Sequence, residues 1–171
     1  HVVCRRQRQM CIRDSDVREA SARLSEIADI CICEITEMAR LDMRRRYGQL
    51  PEEQFAVIGL GRLGSQQLTS VSDLDLMFVY YSPSNTRSDG QQTLEAGRYY
   101  NRWCQLIISW LSVQTAKGKL FDVDTRLRPD GKSGSLAIHI HRLSAYFTSE
   151  AWPWEYCAFL KARTVSYTHL R

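Results

Sequence analysis

Two aspartates separated by one residue, Asp73 and Asp75, lie at the start of the apolar run LDLMFVYY (74–81). The run predicts a β-strand with alternating side chains, so that both carboxylates point to one side while Leu74 and Leu76 face the core. Carboxylates about 7 Å apart repel each other unless a cation lies between them. Because hard oxygen ligands suit Mg²⁺, the pair predicts a metal site that also takes substrate phosphates. Aspartates at such positions are also common as turn or helix caps.

A further aspartate, Asp124, lies in the segment GKLFDVDTRLRP (118–129). This segment predicts a strand with polar side chains on one face. Alternation places Asp124, Arg126 and Arg128 on one face and apolar residues on the other. Beside the first strand, Asp124 would complete a cluster of three carboxylates, and the two arginines would offer planar donors to phosphate oxygens. A ladder of structural ion pairs is the alternative interpretation.

Gly59, Gly61 and Gly64 form a GxGxxG pattern at the end of the apolar run FAVIGLG (55–61), which predicts a buried strand. A dinucleotide-binding fold would need a full helix after the glycines and an acid about 20 residues further on. Here only residues 65–72 separate the last glycine from the next strand. The spacing instead predicts a short turn of helix whose exposed N–H groups bind phosphates.

The combination of glycine loop, short helix, SDLDL and a later strand acid resembles the site of polymerase-β-like nucleotidyltransferases. GLGRLGSQQLTSVSDLDLMFVY, followed by LFDVDTRLRPDGKSG and EAWPWEYCAFLKAR, is similar to the catalytic unit of the glutamine synthetase adenylyltransferase family. The similarity covers about residues 55–164. It implies an α/β (α+β) fold of the polymerase-β type, with a small mixed sheet flanked by helices and preceded by a long N-terminal helix.

The resemblance implies transfer of AMP from ATP to a tyrosine of glutamine synthetase, a reaction that regulates bacterial nitrogen metabolism. Asp73, Asp75 and Asp124 would be the catalytic residues and the ligands of two Mg²⁺ ions, and Asp124 would also accept the hydroxyl proton. Backbone N–H groups of residues 61–65 would hold the β- and γ-phosphates. The residues expected to bind nucleotide or phosphate are Gly61, Arg62, Gly64, Ser65, Ser72, Arg126 and Arg128.

Two alternatives stay open, because family members carry two related catalytic units. One unit attaches AMP and the other removes it by phosphorolysis, and EAWPWE (150–155) is more similar to the attaching unit. The chain could also be an inactive or purely binding piece. Arg62 and Ser65 stand where the family usually has lysine and a second glycine, so we expect phosphate binding of altered strength. The implied partners are glutamine synthetase and, through parts of the family protein not present here, a PII-type nitrogen-signalling protein.

Composition excludes several other classes of protein. The net charge is +4, but setting aside five basic residues and one acidic residue at the two ends leaves 18 of each in 16–164. Residues 16–164 therefore have no basic excess that would indicate nucleic-acid binding. No apolar run reaches the roughly 18 residues of a transmembrane helix, so no membrane association is expected. The pattern of the remaining cysteines predicts buried free thiols and a cytoplasmic location: Cys31, Cys33, Cys104 and Cys157.

The elements around these motifs follow from hydrophobic periodicity. Apolar residues at helical spacing predict four helical stretches: 16–47, 93–115, 139–149 and 153–163. The tryptophans lie in or next to these stretches and are expected in the core: Trp103, Trp110, Trp152 and Trp154. His139 and His141 share one face, but a zinc site would lack its other ligands.

The chain has 171 residues, which is room for one domain. We expect a single nucleotidyltransferase domain over 16–164, with its core in 55–164. Residues 1–15 and 165–171 show no cap or apolar periodicity and are expected to be non-native tails.

Overall fold

The computed structural model describes residues 2–116 and 118–168. Its helices are α1 (Val2–Tyr47), α2 (Gly61–Gly64), α3 (Ala96–Leu111), α4 (Ile140–Ser149) and α5 (Pro153–Phe159). Its strands are β1 (Gln54–Gly59), β2 (Leu74–Tyr81), β3 (Gln114–Thr115), β4 (Gly118–Lys119), β5 (Val123–Asp124), β6 (Ala137–His139) and β7 (Arg163–Tyr167). The expected mixed α/β architecture with a long N-terminal helix and a small mixed sheet is confirmed.

Strand β2 lies in the middle of the sheet. It pairs antiparallel with β1, from Gln54↔Tyr81 to Gly59↔Leu76. Its other edge pairs in parallel with β5 near its start and with β6 near its end. β7 continues the sheet beyond β1, and β3 and β4 form a separate two-stranded hairpin. The aspartates at the start of β2 therefore lie where β2 meets β5.

Helices cover both faces of the sheet. On one face, α1 and α3 pack over buried side chains such as Phe55, whose ring stacks on Trp103 with centroids 4.3 Å apart. Trp103 also donates a hydrogen bond from Nε1 to the Thr36 carbonyl of α1 at 3.1 Å. On the other face, Met77 and Leu143 belong to a smaller cluster formed with α4 and α5. A buried side chain of this size stabilises the fold by about 1.5–3 kcal/mol.

The predictions agree best with the structure where a whole predicted segment forms a single helix or strand. The strand predicted at 74–81 has the bounds of β2, and the helix predicted at 16–47 lies within α1. The continuous strand predicted over 118–129 is wrong, because the segment forms β4 and β5 and then turns. The backbone N–H of Arg126 donates to Asp124 Oδ1 at 2.9 Å, and this local turn ends the strand.

Of the segments expected to be tails, residues 1 and 169–171 lie outside the described residues, and most of the others belong to described elements. Helix α1 extends back to Val2, and residues 165–167 lie in β7, where Tyr167 pairs with Ala56. Thr168 Oγ1 accepts a hydrogen bond from the backbone N–H of Phe55 at 3.0 Å. The non-native origin of the tails and the domain bounds 16–164 stay predictions, and residues 165–167 add to the sheet as part of β7.

The cysteines are free thiols, as expected, but they are not uniformly buried. Cys104 is fully buried in α3, and Cys31 and Cys33 are partly buried in α1. Cys157 is exposed, so the expectation of burial is wrong for that residue. Among the described helices, none is long and apolar enough to cross a membrane.

The tryptophans divide into two pairs. Trp103 is fully buried and Trp110 packs against the core from a partly buried position. Trp152 and Trp154 are 67% and 60% exposed, so their assignment to the core is wrong. Both lie at the start of α5, a helix of seven residues that buries none of its side chains fully.

Close packing between α2 and the segment before β7 gives a test of the fold. A Cβ at Gly64 would overlap the carbonyl oxygen of Lys161, whereas a Cβ at Gly97 would only touch Tyr80 Oη at 3.4 Å. We expect Gly64→Ala to lower the free energy of unfolding by about 2 kcal/mol through steric strain. Gly97→Ala should leave it unchanged or raise it by up to about 1 kcal/mol, because alanine favours helix. Urea unfolding measures both, and equal effects would contradict the packing.

Candidate active site

The parallel pairing of β2 with β5 brings the three predicted carboxylates together. The register sets Asp75 opposite Asp124, and Asp73 lies directly before β2. One carboxylate oxygen of each residue lies within 4.8 Å of the others. These distances allow a single divalent cation to contact all three side chains.

Asp75 is the carboxylate most affected by its surroundings. Burial raises the pKa of its carboxyl, and the negative charges of Asp73 and Asp124 raise it further, while Arg126 acts in the opposite direction. The protonated form is favoured because three like charges meet in a partly desolvated place. A bound cation would remove this penalty, so the electrostatics of the cluster favour metal binding.

The main chain around Asp75 is held on both sides. The N–H of Leu60 donates to the Asp75 carbonyl at 2.9 Å, and the N–H of Leu74 donates to the Asp122 carbonyl at 2.7 Å. Leu74 and Leu76 are buried, as alternation along the strand predicts. The two leucines anchor β2 in the core, and the aspartate between them is directed to the opposite side.

The glycine loop lies against the carboxylates. Gly61 has a φ of +50°, and a Cβ at this position would overlap Asp75 Oδ2. Glycine is needed here both for the left-handed backbone and for the close approach. The expected phosphate cradle over 61–65 is narrower than predicted, because the N–H groups of Gly64 and Ser65 donate to Leu60 O and Gly61 O. The first turn of α2 leaves the N–H groups of residues 61–63 without an acceptor inside the helix.

Arg62 and Ser72 meet at the entrance to β2. The Nη1 atom of Arg62 lies 3.4 Å from Thr69 Oγ1 and 3.5 Å from Ser72 Oγ. Ser72 Oγ also accepts from the Thr69 N–H at 3.1 Å. Ser65 Oγ donates instead to the Gly61 carbonyl at 3.1 Å, so that this hydroxyl closes α2. Of the two predicted hydroxyls, Ser72 is therefore the one next to Asp73.

Arg126 contacts the cluster directly. Its Nε lies 2.9 Å from Asp124 Oδ1 and 2.7 Å from Asp124 Oδ2, and its Nη2 also donates to Oδ2. The guanidinium is largely exposed, which weakens the net contribution of the ion pair to stability. It lies at the edge of the cluster, where it can also reach an incoming anion.

Arg128 supports the turn that follows β5. Its Nη1 donates to the carbonyl and to the hydroxyl of Thr125, and its Nη2 donates to the Gly134 carbonyl at 3.3 Å. Its Nε is buried and has no hydrogen-bond partner among the described residues. The alternation of a continuous strand does not place Arg128, since β5 ends at Asp124. The turn nevertheless brings it to the same pocket.

Asp73, Asp124 and both arginines line a pocket of about 690 Å³. Two further polar residues of this pocket, Asp122 and Thr125, are absent from the sequence predictions. Both lie in the segment 118–129, where a regular alternation sets Asp122 on the face of Asp124 and Thr125 on the other face.

A larger cavity of about 970 Å³ lies between α1 and β7. Both arginines that line it are paired with acids of the same cavity, since Arg40 Nε donates to Glu37 at 2.7 Å and Arg44 Nε donates to Glu53 at 3.4 Å. The carboxylate cluster, rather than the larger cavity, is the candidate site.

A missed residue, Arg163, supports the glycine loop from behind. Its Nη2 donates to Asp29 Oδ1 at 2.9 Å and to the carbonyl of Leu63 at 3.2 Å. One side chain at the start of β7 thus connects α1 to α2. No local sequence pattern indicates a contact between residues 134 positions apart.

Several known proteins are similar in sequence to most of this chain. A protein of Stenotrophomonas maltophilia (strain R551-3) is 40% identical over 149 residues, covering 86% of this chain and 16% of the relative. Proteins of Rhizobium meliloti (38% over 148 residues, 86% and 15%) and Alteromonas mediterranea (37% over 168 residues, 92% and 17%) are similar in the same way. All three are named bifunctional glutamine synthetase adenylyltransferase/adenylyl-removing enzyme.

The chain thus spans only about 16% of the length of the curated relatives it matches. A family model described as glutamate-ammonia ligase adenylyltransferase matches residues 6–169, which include the glycine loop, all three aspartates and both arginines. The chain belongs to the glutamate-ammonia ligase adenylyltransferase family.

Proposed function

We propose that this chain is a nucleotidyltransferase unit that transfers AMP from ATP to a tyrosine of glutamine synthetase, in the regulation of nitrogen assimilation. The observation that carries the proposal is the convergence of Asp73, Asp75 and Asp124 within 4.8 Å, directly beside the glycine loop. The names of the relatives support adenylyl transfer as the reaction. We further propose that the mixed sheet and its helices are a polymerase-β-like nucleotidyltransferase fold.

The residues present suit a metal-assisted reaction. Asp73 and Asp75 would hold two Mg²⁺ ions and Asp124 one of them, since three converging carboxylates are a hard-oxygen donor set. Burial first and then the charges of Asp73 and Asp124 raise the pKa of the Asp75 carboxyl, and a divalent cation at the cluster would favour its ionised form. Bound metal would supply charge neutralisation at the phosphates and a lower pKa of the acceptor hydroxyl.

The protein groups around the cluster would position ATP. The N–H groups of the first turn of α2, together with Gly64 packing and the Ser65 cap, would form the phosphate-binding loop. Arg62 and Ser72 stand at one side of this loop, and Arg126 and Arg128 line the pocket at the other side. Guanidinium groups bind phosphate oxygens with a planar, bidentate fork, which makes all three arginines suitable contacts.

Asp124 is suited to a second role as proton acceptor. The tyrosine oxygen would attack the α-phosphorus, forming the new O–P bond as the bond to the pyrophosphate oxygen breaks. The hydroxyl proton would pass to the Asp124 carboxylate, which stays oriented by Nε and Nη2 of Arg126. Fixed donors at Arg126 and Arg128 would stabilise the charge that moves onto pyrophosphate.

Glutamine synthetase is the proposed protein substrate, because it appears in the names of the relatives. A PII-type signalling protein is proposed as a partner of the longer family protein. We propose a cytoplasmic enzyme that binds neither nucleic acid nor membrane. The free thiols support the location, and the equal numbers of acids and bases in 16–164 support the lack of nucleic-acid binding.

AMP transfer to glutamine synthetase is the direct test of function. We expect purified chain with [α-³²P]ATP and Mg²⁺ to label unmodified glutamine synthetase on tyrosine, and Asp124→Asn to abolish the label. The alternative direction is tested with adenylylated glutamine synthetase and inorganic phosphate. Release of ADP in that reaction, without any forward labelling, would assign the chain to AMP removal.

Metal-dependent ATP binding should require the carboxylate pair. The double variant Asp73→Asn, Asp75→Asn should lose Mg²⁺-dependent ATP binding in calorimetry while its circular dichroism spectrum stays unchanged, because neither side chain is part of the core. A matched variant, Glu26→Gln with Glu34→Gln, removes two charges from the exposed face of α1 and should bind normally. Wild-type ATP affinity in the double aspartate variant would exclude this site.

Arg128 makes hydrogen bonds that stabilise the turn after β5, and it is also proposed to bind phosphate. Melting temperatures without and with Mg·ATP separate the two roles. Arg128→Lys keeps the charge but loses the fork, so we expect a lower melting temperature from the lost bonds to Thr125 and Gly134. The rise in melting temperature on adding Mg·ATP should also shrink. Arg45→Lys, at an exposed position of α1, is the matched control. A full ligand-induced rise in the Arg128 variant would restrict the residue to a structural role.

A further inference from the structure

An apolar groove of about 360 Å³ lies between the middle of α1, the loop before β2 and the segment that joins β4 to β5. We call it the acceptor groove. Its apolar lining consists of Leu24, Ile27, Leu68, Val71, Leu120 and Phe121.

The floor and the walls of the acceptor groove differ in exposure. Leu68 is buried and Phe121 packs against the main core, so the floor is part of the domain. Val71 is 89% exposed and Leu120 is 49% exposed, and both lie on loops that face each other across the groove. Single exposed apolar side chains are common on protein surfaces, but a contiguous concave set is typical of a binding site.

The acceptor groove is continuous with the candidate active site. Asp122 lines both the groove and the pocket that contains Asp73 and Asp124. Ser72, at the other wall of the groove, is followed directly by Asp73. A ligand in the groove therefore contacts residues that border the carboxylate pocket.

This position suits the polypeptide that carries the acceptor hydroxyl. An extended chain advances about 3.3 Å per residue, so residues one or two positions from a tyrosine at the carboxylates reach the groove. Lys119 and Asp122 at the rim pair with each other. The rest of the lining is the six apolar side chains and three hydroxyl residues of the loop before β2, so the groove has no unpaired charge among the described residues and suits an apolar side chain. We propose that the acceptor groove binds an apolar side chain of glutamine synthetase next to the modified tyrosine. This inference rests on the proposed function.

Aspartate substitutions at the groove walls test the proposal. We expect Val71→Asp and Leu120→Asp each to weaken binding of unmodified glutamine synthetase to the 171-residue chain by about tenfold or more, as for a buried apolar contact in an interface. Leu41→Asp is the control, because Leu41 is 55% exposed on α1 and lies about 21 Å along the helix from Ile27. This variant should bind within about twofold of the wild type. Biolayer interferometry with immobilised chain measures all three.

Parallel titrations with Mg·ATP separate this proposal from the proposed function. Both groove variants should bind Mg·ATP like the wild type, because neither residue is a phosphate contact. Normal binding of glutamine synthetase by both variants, or no binding by the wild type, would overturn the groove proposal even if Mg·ATP still binds. Self-association of the wild type that Val71→Asp abolishes would assign the groove to a second copy of the chain and also overturn it.

Discussion

Repulsion among three carboxylates is the constraint on which the rest of this structure depends. Asp73, Asp75 and Asp124 would move apart in solution, and only fixed backbone pairing holds them within 4.8 Å. The parallel register between β2 and β5 does this with two residue pairs, a contact too short to be stable by itself. The cluster therefore depends on how firmly β2 is held by the remainder of the fold.

Strand β2 is well held because it is paired along both edges and covered on both faces. β1 is paired with β2 over six consecutive positions, and β6 continues the other edge beyond β5. Phe78 packs on the side of α1 and α3, while Met77 packs on the side of α4. The free energy that holds the aspartates in place thus comes from apolar burial several residues away. Within β2, Asp75 belongs to the candidate site, whereas the apolar side chains stabilise the fold.

Sequence reasoning succeeded where one periodicity decides the outcome. The bounds of β2 and the position of the long helix follow from alternation and helical spacing. The convergence of the three aspartates also needed the assumption that the two acid-bearing strands are neighbours, which the pairing of β2 with β5 confirms. It failed where contacts between distant segments decide. Trp152 and Trp154 flank Pro153 in a segment whose apolar residues have helical spacing. Among the described residues, no element packs over them closely enough to bury them. β7 is stabilised by pairing with β1, about 100 residues earlier, and its own alternation is weak.

The loop after Asp124 is held in position although β5, the strand that precedes it, has only two residues. Arg128 holds Thr125 and Gly134 together, and Asn101 of α3 then accepts hydrogen bonds from the N–H groups of Leu136 at 3.0 Å and Ala137 at 3.2 Å. The loop is thus attached to the helical layer immediately before β6 begins. These bonds join main-chain atoms to two side chains, so they fix the backbone of the loop in addition to the hydrogen bonds that Asp124 itself accepts from Arg126. The position of Asp124 therefore depends on Asn101 and Arg128 as well as on its own pairing with Arg126, because the loop that follows it is attached to α3.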